Sequence, residues 1–209
     1  MSRVAVDPEF VSRRTAIVPV RDGTRVRLRP LVPEDRQAIV EGFRRLSAAS
    51  RYRRFMTPIA ELDDEMIRHL TELDYMNHFA WVALLADEPG NPGAGVSRYV
   101  RLEEEPEVAE AAVTVVDEYQ GRGIGTLLLE ALGAAALPNG IQILRGYVLE
   151  DNRQMREVAQ AVGARLTHDS PRLLRVEVDV TARAKQIEGT PLGELVQRLA
   201  RGEGPIELC

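Results

Sequence analysis

The apolar residues in the first third of the chain change from an alternating spacing to a helical one. Two short apolar runs flank an Asp-Gly pair, a favoured turn between strands, and predict a β-hairpin over residues 18–29. Pro33 suits the first turn of a helix whose apolar residues recur every three or four positions as far as Leu46. The same spacing, from Asp63 towards Leu73, predicts a second helix. One hairpin and two helices therefore precede the longer apolar runs.

The rest of the chain alternates between apolar strands and helices. Strands are predicted at residues 79–85, 96–102, 109–116 and 141–149, with a last strand through the alternating Val176, Val178 and Val180. One helix follows residue 126 and ends at Pro138, Asn139 and Gly140, and another covers residues 152–162 and is closed by Gly163. The predicted order is β-α-α-β-β-β-α-β-α-β, which is typical of a single α/β domain.

Length and spacing also predict how the chain is divided. With 209 residues, 44% of them apolar, the chain is long enough to bury one sizeable core. We expect an N-terminal arm at residues 1–17, the domain at 18–180 and a C-terminal extension at 181–209. Helical spacing in the extension predicts a short amphipathic helix with Leu192, Leu195, Val196 and Leu199. This helix either covers the domain or mediates formation of a homodimer.

Composition narrows the classes of partner and site. No stretch approaches the roughly 18 apolar residues of a membrane helix, and the N-terminus lacks the apolar region of a signal peptide. We therefore expect a cytoplasmic protein with no membrane partner. The single cysteine, Cys209, is terminal, and His69, His78 and His168 show no ligand-like spacing, so no metal is expected. A net charge of −5 argues against nucleic acid as the main partner.

Two local runs of charge each allow two interpretations. Five arginines surround Tyr52 and Phe55: Arg44, Arg45, Arg51, Arg53 and Arg54. They form either a phosphate-facing patch or the solvated side of a helix and its following turn, which is the commoner outcome for such a run. An acidic run precedes the strand at 109–116: Glu103, Glu104, Glu105 and Glu107. It either attracts a cationic substrate or is a solvated loop.

The most informative segment is Q-G-R-G-I-G-T at residues 120–126, between a β-branched run and a helix-forming run. Glycine lets backbone N–H groups converge, and the start of a helix adds a positive dipole, so the segment predicts an anion cradle for a phosphorylated cofactor. A P-loop needs Lys and then Ser or Thr after its last glycine, whereas Gly125 is followed by Thr126 and Leu127. The dinucleotide fingerprint needs G-x-G-x-x-G at a first strand. ATP, GTP and NAD therefore fit poorly.

This segment, with Gln120, Gly123 and Gly125, resembles the pyrophosphate-binding loop of the GNAT superfamily of acetyl-CoA-dependent N-acetyltransferases. The element order resembles the family's layout over residues 18–180. The resemblance implies an α/β (α+β) GNAT fold with a central mixed, splayed sheet flanked by helices, and acetyl-CoA as co-substrate. It also implies these cofactor-binding residues: Val115 and Val116, whose backbone pairs with the pantetheine arm, Gln120, Gly121, Arg122, Gly123, Ile124, Gly125 and Thr126 in the loop, and Asn152. Asn152 suits a helix N-cap equally well.

The reaction also needs a base, because the attacking amine must be neutral and a free lysine has a pKa of about 10.4. Glu110 is the candidate, since it begins the strand that leads into the glycine loop and can accept the proton directly or through a water. Burial of such a carboxylate would make it a better base. Many GNAT enzymes have a Tyr as general acid in the helix after Asn152, but this chain has none there. We therefore name no general acid.

Three segments narrow the resemblance. They are L-S-A-A-S-R-Y-R-R-F at 46–55, R-Y-V-R at 98–101 and A-E-A-A-V at 109–113. They resemble the catalytic core of bacterial Pat-type protein lysine acetyltransferases, in which the Glu of the last segment is the general base. Pat-type enzymes often carry a regulatory domain, for which residues 1–17 are too short, so we expect a catalytic module alone.

The leading hypothesis for function is acetyl transfer from acetyl-CoA to the ε-amino group of a protein lysine, by direct attack in a ternary complex. Two alternatives remain open. One is an acetyltransferase for small amines such as aminoglycosides, polyamines or amino acids. The other is a catalytically idle acyl-CoA-binding module.

Overall fold

The computed structural model describes residues 6–208, and Cys209 lies outside this range. Strands in this range form one sheet with the order β7-β8-β6-β5-β4-β3-β2-β1-β9. Neighbouring strands are antiparallel except for the pairs β5–β6 and β1–β9, which are parallel. The strands are β1 (Ala16–Pro19), β2 (Arg25–Pro30), β3 (His78–Leu85), β4 (Gly93–Arg101), β5 (Val108–Val115), β6 (Ile143–Leu149), β7 (Arg165–Ser170), β8 (Leu173–Asp179) and β9 (Ile206–Glu207). The predicted mixed sheet is confirmed.

Helices cover both faces of this sheet. They are α1 (Pro8–Ser12), α2 (Arg36–Arg44), α3 (Ala48–Phe55), α4 (Asp64–Thr71), α5 (Ile124–Ala136), α6 (Arg153–Ala161), α7 (Val180–Gln186) and α8 (Pro191–Arg201). Helix α5 packs on β3, β4 and β5, and α6, α7 and α8 pack against α5. Helices α2 and α3 contact β4 and β5, and α4 packs on α2. Side chains alternate along β4 and β5, so those on one face of the sheet pack into the main core under α5. Those on the other face lie under α2, α3 and α4.

Helix α5 occupies the centre of the main core because it is apolar on nearly all sides. Leu128, Ala131 and Leu132 are fully buried. Two side chains of the sheet donate hydrogen bonds to carbonyl groups of α5: the indole Nε1 of Trp81 to Ala131 at 3.0 Å, and Oγ of Ser97 to Leu128 at 2.9 Å. These bonds satisfy buried polar groups and fix the helix over β3 and β4.

The predicted amphipathic helix of the C-terminal segment is α8, and it covers the domain. Leu195, Val196 and Leu199 are buried in the same core cluster as α5. Thr190 caps the helix, since its Oγ1 accepts a hydrogen bond from the N–H of Gly193 at 3.1 Å. The apolar face of α8 is therefore used within the chain. Among residues 6–208, none of the helices has the length and apolar character needed to span a bilayer.

Two strands in the last third of the chain differ from the prediction. The last predicted strand continues to Val180, but β8 ends at Asp179, whose Oδ1 accepts a hydrogen bond from the N–H of Ala182 at 2.8 Å and caps α7. A side chain that caps a helix outweighs the valine alternation here. Strand β7 was not predicted, because Leu166 is the single apolar residue in R-L-T-H-D-S. Backbone pairing with β8 stabilises this strand although its sequence is mostly polar.

Two further elements also lie where the sequence predicts none. Helix α1 and the first residues of β1 fall within the segment predicted as an arm, where Ala16 is fully buried and pairs with Leu28. Helix α3 was not predicted as a separate helix. It begins at Ser47, whose side chain accepts a hydrogen bond from the N–H of Ser50 at 3.2 Å. Asp117, just after β5, accepts a bond from the N–H of Ser47 at 3.2 Å and anchors this helix over β5.

Candidate active site

Strands β5 and β6 separate soon after they meet. Their parallel register covers Val108–Glu110 on β5 and Ile143–Arg145 on β6. At the next position the backbones are still close, because a Cβ on Gly146 would lie 2.9 Å from the carbonyl oxygen of Ala111. The register extends no further, although β5 continues to Val115 and β6 to Leu149. The sheet is thus splayed, as predicted, and the second half of β5 has one unpaired edge.

The unpaired edge presents backbone groups at alternate positions. The N–H of Val116 donates to the carbonyl of Ala94, and the carbonyl of Val108 accepts a bond from the N–H of Leu102. The backbone groups of even-numbered residues along β5 therefore face β4. The N–H groups of Val113 and Val115 therefore face the opening between β5 and β6. Val116 was also predicted to pair with a cofactor arm, but its N–H is used in the sheet and its side chain is buried. The structure directs Val116 away from the opening.

The glycine loop follows this edge and is rich in free donors. Within the described range, the backbone N–H groups of residues 121–126 donate to no acceptor. Gly121 and Gly123 have φ values of 76° and 95°, a left-handed conformation that L side chains rarely adopt. Ile124 then begins α5, and Leu127 donates the first helical bond to Gly123. The loop and the helix start together form the predicted anion cradle.

Side chains hold this loop in shape. Nε2 of Gln120 donates to the carbonyl of Val115 at 3.0 Å and to Oδ1 of Asp117 at 3.2 Å. Nη2 of Arg122 donates to the carbonyl of Glu118 at 3.0 Å, and the carbonyl of Arg122 accepts a bond from the N–H of Arg21 at 3.0 Å. The side chains of the predicted residues Gln120 and Arg122 thus donate hydrogen bonds within the loop and to the segment before it.

A groove of about 290 Å³ runs from the cradle through the opening in the sheet. Residues Ile124, Gly125 and Thr126 line it, as does Asn152. Asn152 is the N-cap of α6, because its Oδ1 accepts a hydrogen bond from the N–H of Met155 at 3.2 Å. The N-cap interpretation is therefore confirmed, and the same residue remains at the wall of the groove.

Glu110 lies where β5 still pairs on both sides, opposite Val100 on β4 and Arg145 on β6. Its side chain is exposed, so the burial that would strengthen it as a base is absent. Among residues 6–208 it takes part in no ion pair. Its neighbour Arg145 is bound to Glu105 at 2.6 Å and to Glu177 at 2.9 Å, and these carboxylates raise the pKa of Arg145. The Glu110 carboxylate is thus left without a salt bridge, although Arg145 lies opposite it on β6.

The arginine cluster divides into residues with different roles, and neither interpretation describes it whole. Arg51 folds back on its own segment and donates to the carbonyls of Leu46, Ala60 and Arg44. Arg45 forms an ion pair with Glu118.

Arg54 instead faces the groove and has no hydrogen bond or ion pair with the described residues. Burial lowers the pKa of Arg54, and the nearby charge of Glu110 partly offsets this effect. Arg54 therefore stands close to Glu110, and its guanidinium carbon lies 4.9 Å from the centre of the Phe55 ring.

Several residues that line the groove are not among those that the sequence predicts for the site. Arg21, at the hairpin turn, lines the groove beside the glycine loop. Tyr147 on β6 lines it with 38% of its surface exposed. In the sequence Arg54 is one member of a charged run, and its spacing does not distinguish it from Arg51. Tyr119 packs beside the loop, where it is buried under the guanidinium groups of Arg45 and Arg122. In the described part of the chain, no group of three or more His, Cys, Asp or Glu residues could hold a metal.

Comparisons with known proteins agree with this geometry. A family model for the acetyltransferase (GNAT) domain matches residues 25–165. Acetyltransferase Pat of Mycolicibacterium smegmatis is 36% identical over 163 residues, which are 78% of this chain and 48% of that protein. An acetyltransferase of Pseudomonas aeruginosa is 36% identical over 142 residues, which are 68% of this chain and 76% of that protein. The chain thus spans about half the length of the first relative and about three quarters of the second.

Solved structures show the same architecture. The GNAT domain of S. lividans PAT has a TM-score of 0.74 and 27% identity, with coverage of 84% of this chain and 99% of that chain. A cAMP-binding acyltransferase from Mycobacterium smegmatis has a TM-score of 0.62 and 31% identity, covering 93% of this chain and 55% of that chain. A putative acetyltransferase from Salmonella typhimurium, solved with its cofactor acetyl-CoA, has a TM-score of 0.56 at 16% identity, covering 74% and 94%. This last similarity concerns the fold alone.

Proposed function

The chain belongs to the GNAT acetyltransferase family, and from that premise we propose that it transfers an acetyl group from acetyl-CoA to the ε-amino group of a protein lysine. The observation that carries this proposal is the row of free backbone N–H groups at residues 121–126, next to the unpaired edge of β5. Donors converging at a helix start suit a pyrophosphate, and an open strand edge suits an amide-containing arm. Acetyl-CoA has both parts.

Each part of the groove has a role in this proposal. The amides of the glycine loop bind the pyrophosphate, and the backbone of Val113 and Val115 pairs with the pantetheine arm. Asn152 lies where it can meet that arm while it caps α6. The bound thioester supplies the electrophilic carbonyl carbon. The amide of Val115, at the open edge, is placed to stabilise negative charge on the carbonyl oxygen.

Glu110 is the proposed general base. It accepts a proton from the incoming ammonium group, directly or through a water, so that the neutral amine can attack. Its exposure lets the proton pass on to solvent. The thiol that leaves has a pKa of about 8.5 and departs readily without a general acid. No covalent intermediate on the protein is required, because the amine and the thioester meet in one complex.

A lysine acceptor is supported by the acidic loop that precedes β5. Glu103, Glu104 and Glu107 are exposed just before β5 and, within the described residues, form no ion pairs. Such a loop attracts a cationic side chain. The resemblance of the A-E-A-A-V segment to that of bacterial Pat-type protein lysine acetyltransferases supports the same acceptor. A small amine would be attracted by the same charge, and this remains the second candidate.

The test is transfer of radiolabel from acetyl-CoA into a cell lysate, with acid-precipitable protein separated from soluble amines. We expect label in protein with the wild type and at least a tenfold loss with Glu110→Gln, in line with typical contributions of a general base. Glu188→Gln is the matched control, because it removes one exposed carboxylate between α7 and α8 that does not line the groove. Label in soluble amines alone would favour the small-amine enzyme. Binding of acetyl-CoA without any transfer would favour the idle module.

A further inference from the structure

A second cavity, of about 80 Å³, lies on the other side of β4 and β5, under α2, α3 and α4. A cavity that holds one water molecule needs roughly 10–15 Å³, so this cavity has room for several heavy atoms. Its walls are mostly apolar, with contributions from Ile39, Phe43 and Val96. Arg54 and Thr114 belong to the walls of both this cavity and the groove. The two spaces are therefore neighbours, with Arg54 and Thr114 at their common wall beside the open edge of β5, where the proposed function places the acyl end of the cofactor.

The cavity contains a buried cation. Arg98, on β4, is 5% exposed and lines the cavity. Its Nη2 donates to the carbonyl of Leu70 at 2.8 Å, and its Nη1 lies 3.1 Å from Nε2 of His78. A guanidinium has five N–H donors, and these contacts use two of them. Both contacts are to uncharged acceptors, because burial, followed by the charge of Arg98, lowers the pKa of His78 to about 4.

No carboxylate within residues 6–208 forms an ion pair with either arginine of the cavity. Asp35 lines the far side, but its two oxygens each accept a bond from Arg29 at 2.7 Å, so its charge is already matched. Glu110 acts on Arg54 from outside the cavity lining. Burial lowers the pKa of Arg98 to about 9, and the charge of Arg54 adds to this effect. Two cations in an apolar cavity are costly unless an anion joins them.

We propose that this cavity binds the terminal carboxylate of a four-carbon dicarboxylic acyl group, so that the enzyme accepts succinyl-CoA as a donor. This inference rests on the proposed function. The acyl methylene groups lie among the apolar walls, and the carboxylate meets Arg54 and the free donors of Arg98. During transfer, the amine nitrogen bonds to the thioester carbon, the carbon–sulfur bond breaks, the coenzyme leaves as its thiolate, and Glu110 takes the amine proton. The terminal carboxylate is unchanged.

The test measures binding of three thioesters by calorimetry without an acceptor: acetyl-CoA, butyryl-CoA and succinyl-CoA. Butyryl-CoA matches succinyl-CoA in chain length and lacks the carboxylate. We expect succinyl-CoA to bind at least about tenfold more tightly than butyryl-CoA, the usual range for hydrogen bonds to a charged group. Arg54→Met is expected to reduce this ratio to within about twofold. Arg44→Met is the control, because Arg44 is exposed on α2 and lines neither cavity.

The other outcomes are distinguishable. If butyryl-CoA binds as tightly as succinyl-CoA, and both bind more tightly than acetyl-CoA, the cavity is an apolar acyl pocket and the inference is wrong. If acetyl-CoA binds most tightly, the cavity takes no acyl chain and the inference is also wrong, while the proposed function stands. If none of the three binds, the proposed function fails together with the inference. The wild-type comparison needs no variant, so a folding defect cannot obscure it.

Discussion

The side chain of Gln120 is bonded to the main chain of Val115, with 3.0 Å between Nε2 and the carbonyl oxygen. Gln120 is the first residue of the glycine loop, and Val115 is the last of the splayed strand. This bond satisfies the one carbonyl at the end of the open edge and fixes the loop relative to that edge. The amide side chain of Gln120 therefore links the phosphate cradle directly to the strand edge.

Replacing this amide should weaken cofactor binding with little effect on folding. In Gln120→Ala the loop loses its bonds to Val115 and Asp117, each worth about 1 kcal/mol, so we expect acetyl-CoA affinity to fall about fivefold to thirtyfold. Isothermal titration calorimetry measures the change. Gln142→Ala is the control, since Gln142 is exposed and lies just before β6, at the end where β5 and β6 are paired. Equal affinity in wild type and Gln120→Ala would show that the cradle forms without this bond.

The sequence predicts the central part of the fold because each element there has one clear signal. The strand at 109–116, the glycine segment and the apolar run after Leu127 follow one another without interruption, and β5, the loop and α5 have nearly those bounds. Elements whose stability comes from neighbours were missed. Strand β7 is mostly polar and forms by pairing with β8, and Val180 is helical because Asp179 caps α7.

The candidate site shows the same division. The free amides of the glycine loop follow from local chain geometry, so their residue types predict them. The burial of a guanidinium does not follow from local chain geometry, because it depends on which helix lies above which strand. Nothing in the sequence marks Arg98 in R-Y-V-R or Arg54 in the arginine run as buried. Only the packing of α2 on β4, of α3 on β5 and of α4 on α2 turns them into walls of a cavity.

A buried ion pair between α5 and α7 should contribute strongly to stability. Glu130 is 4% exposed and accepts bonds from Nε and Nη2 of Arg183 at 3.0 and 2.6 Å. Arg183→Met leaves a carboxylate buried without its partner, so we expect the free energy of unfolding to fall by about 3 kcal/mol. Urea denaturation measures this change.

The exposed pair of Arg198 and Glu203, at 3.8 Å, provides the comparison. Arg198→Met should lower the free energy of unfolding by less than about 1 kcal/mol. The double variant Glu130→Leu with Arg183→Met removes both charges and should recover much of the loss, because no buried charge is left unmatched. If Arg183→Met is no more damaging than Arg198→Met, burial of Glu130 does not control the stability of this contact.

His78 should make the fold less stable in mild acid. Its pKa is lowered to about 4 in the folded chain, mainly by burial and then by the positive charge of Arg98. The unfolded chain binds a proton near pH 6.5 while the folded chain does not, so stability is lost as pH falls from about 6.5 to about 4. Between pH 7 and pH 5 the expected loss from this group is about 2 kcal/mol, measured by urea denaturation at each pH.

Two variants separate this effect from general acid sensitivity. His78→Gln retains an oxygen that can accept a hydrogen bond from Arg98 but has no titrating ring, so its stability should change by about 2 kcal/mol less than that of the wild type between pH 7 and 5. His168→Gln changes an exposed histidine on β7 and should follow the wild-type pH curve. If His78→Gln also follows the wild-type curve, the lost stability comes from other groups. Position 78 would then carry a proton in the folded chain as readily as in the unfolded one.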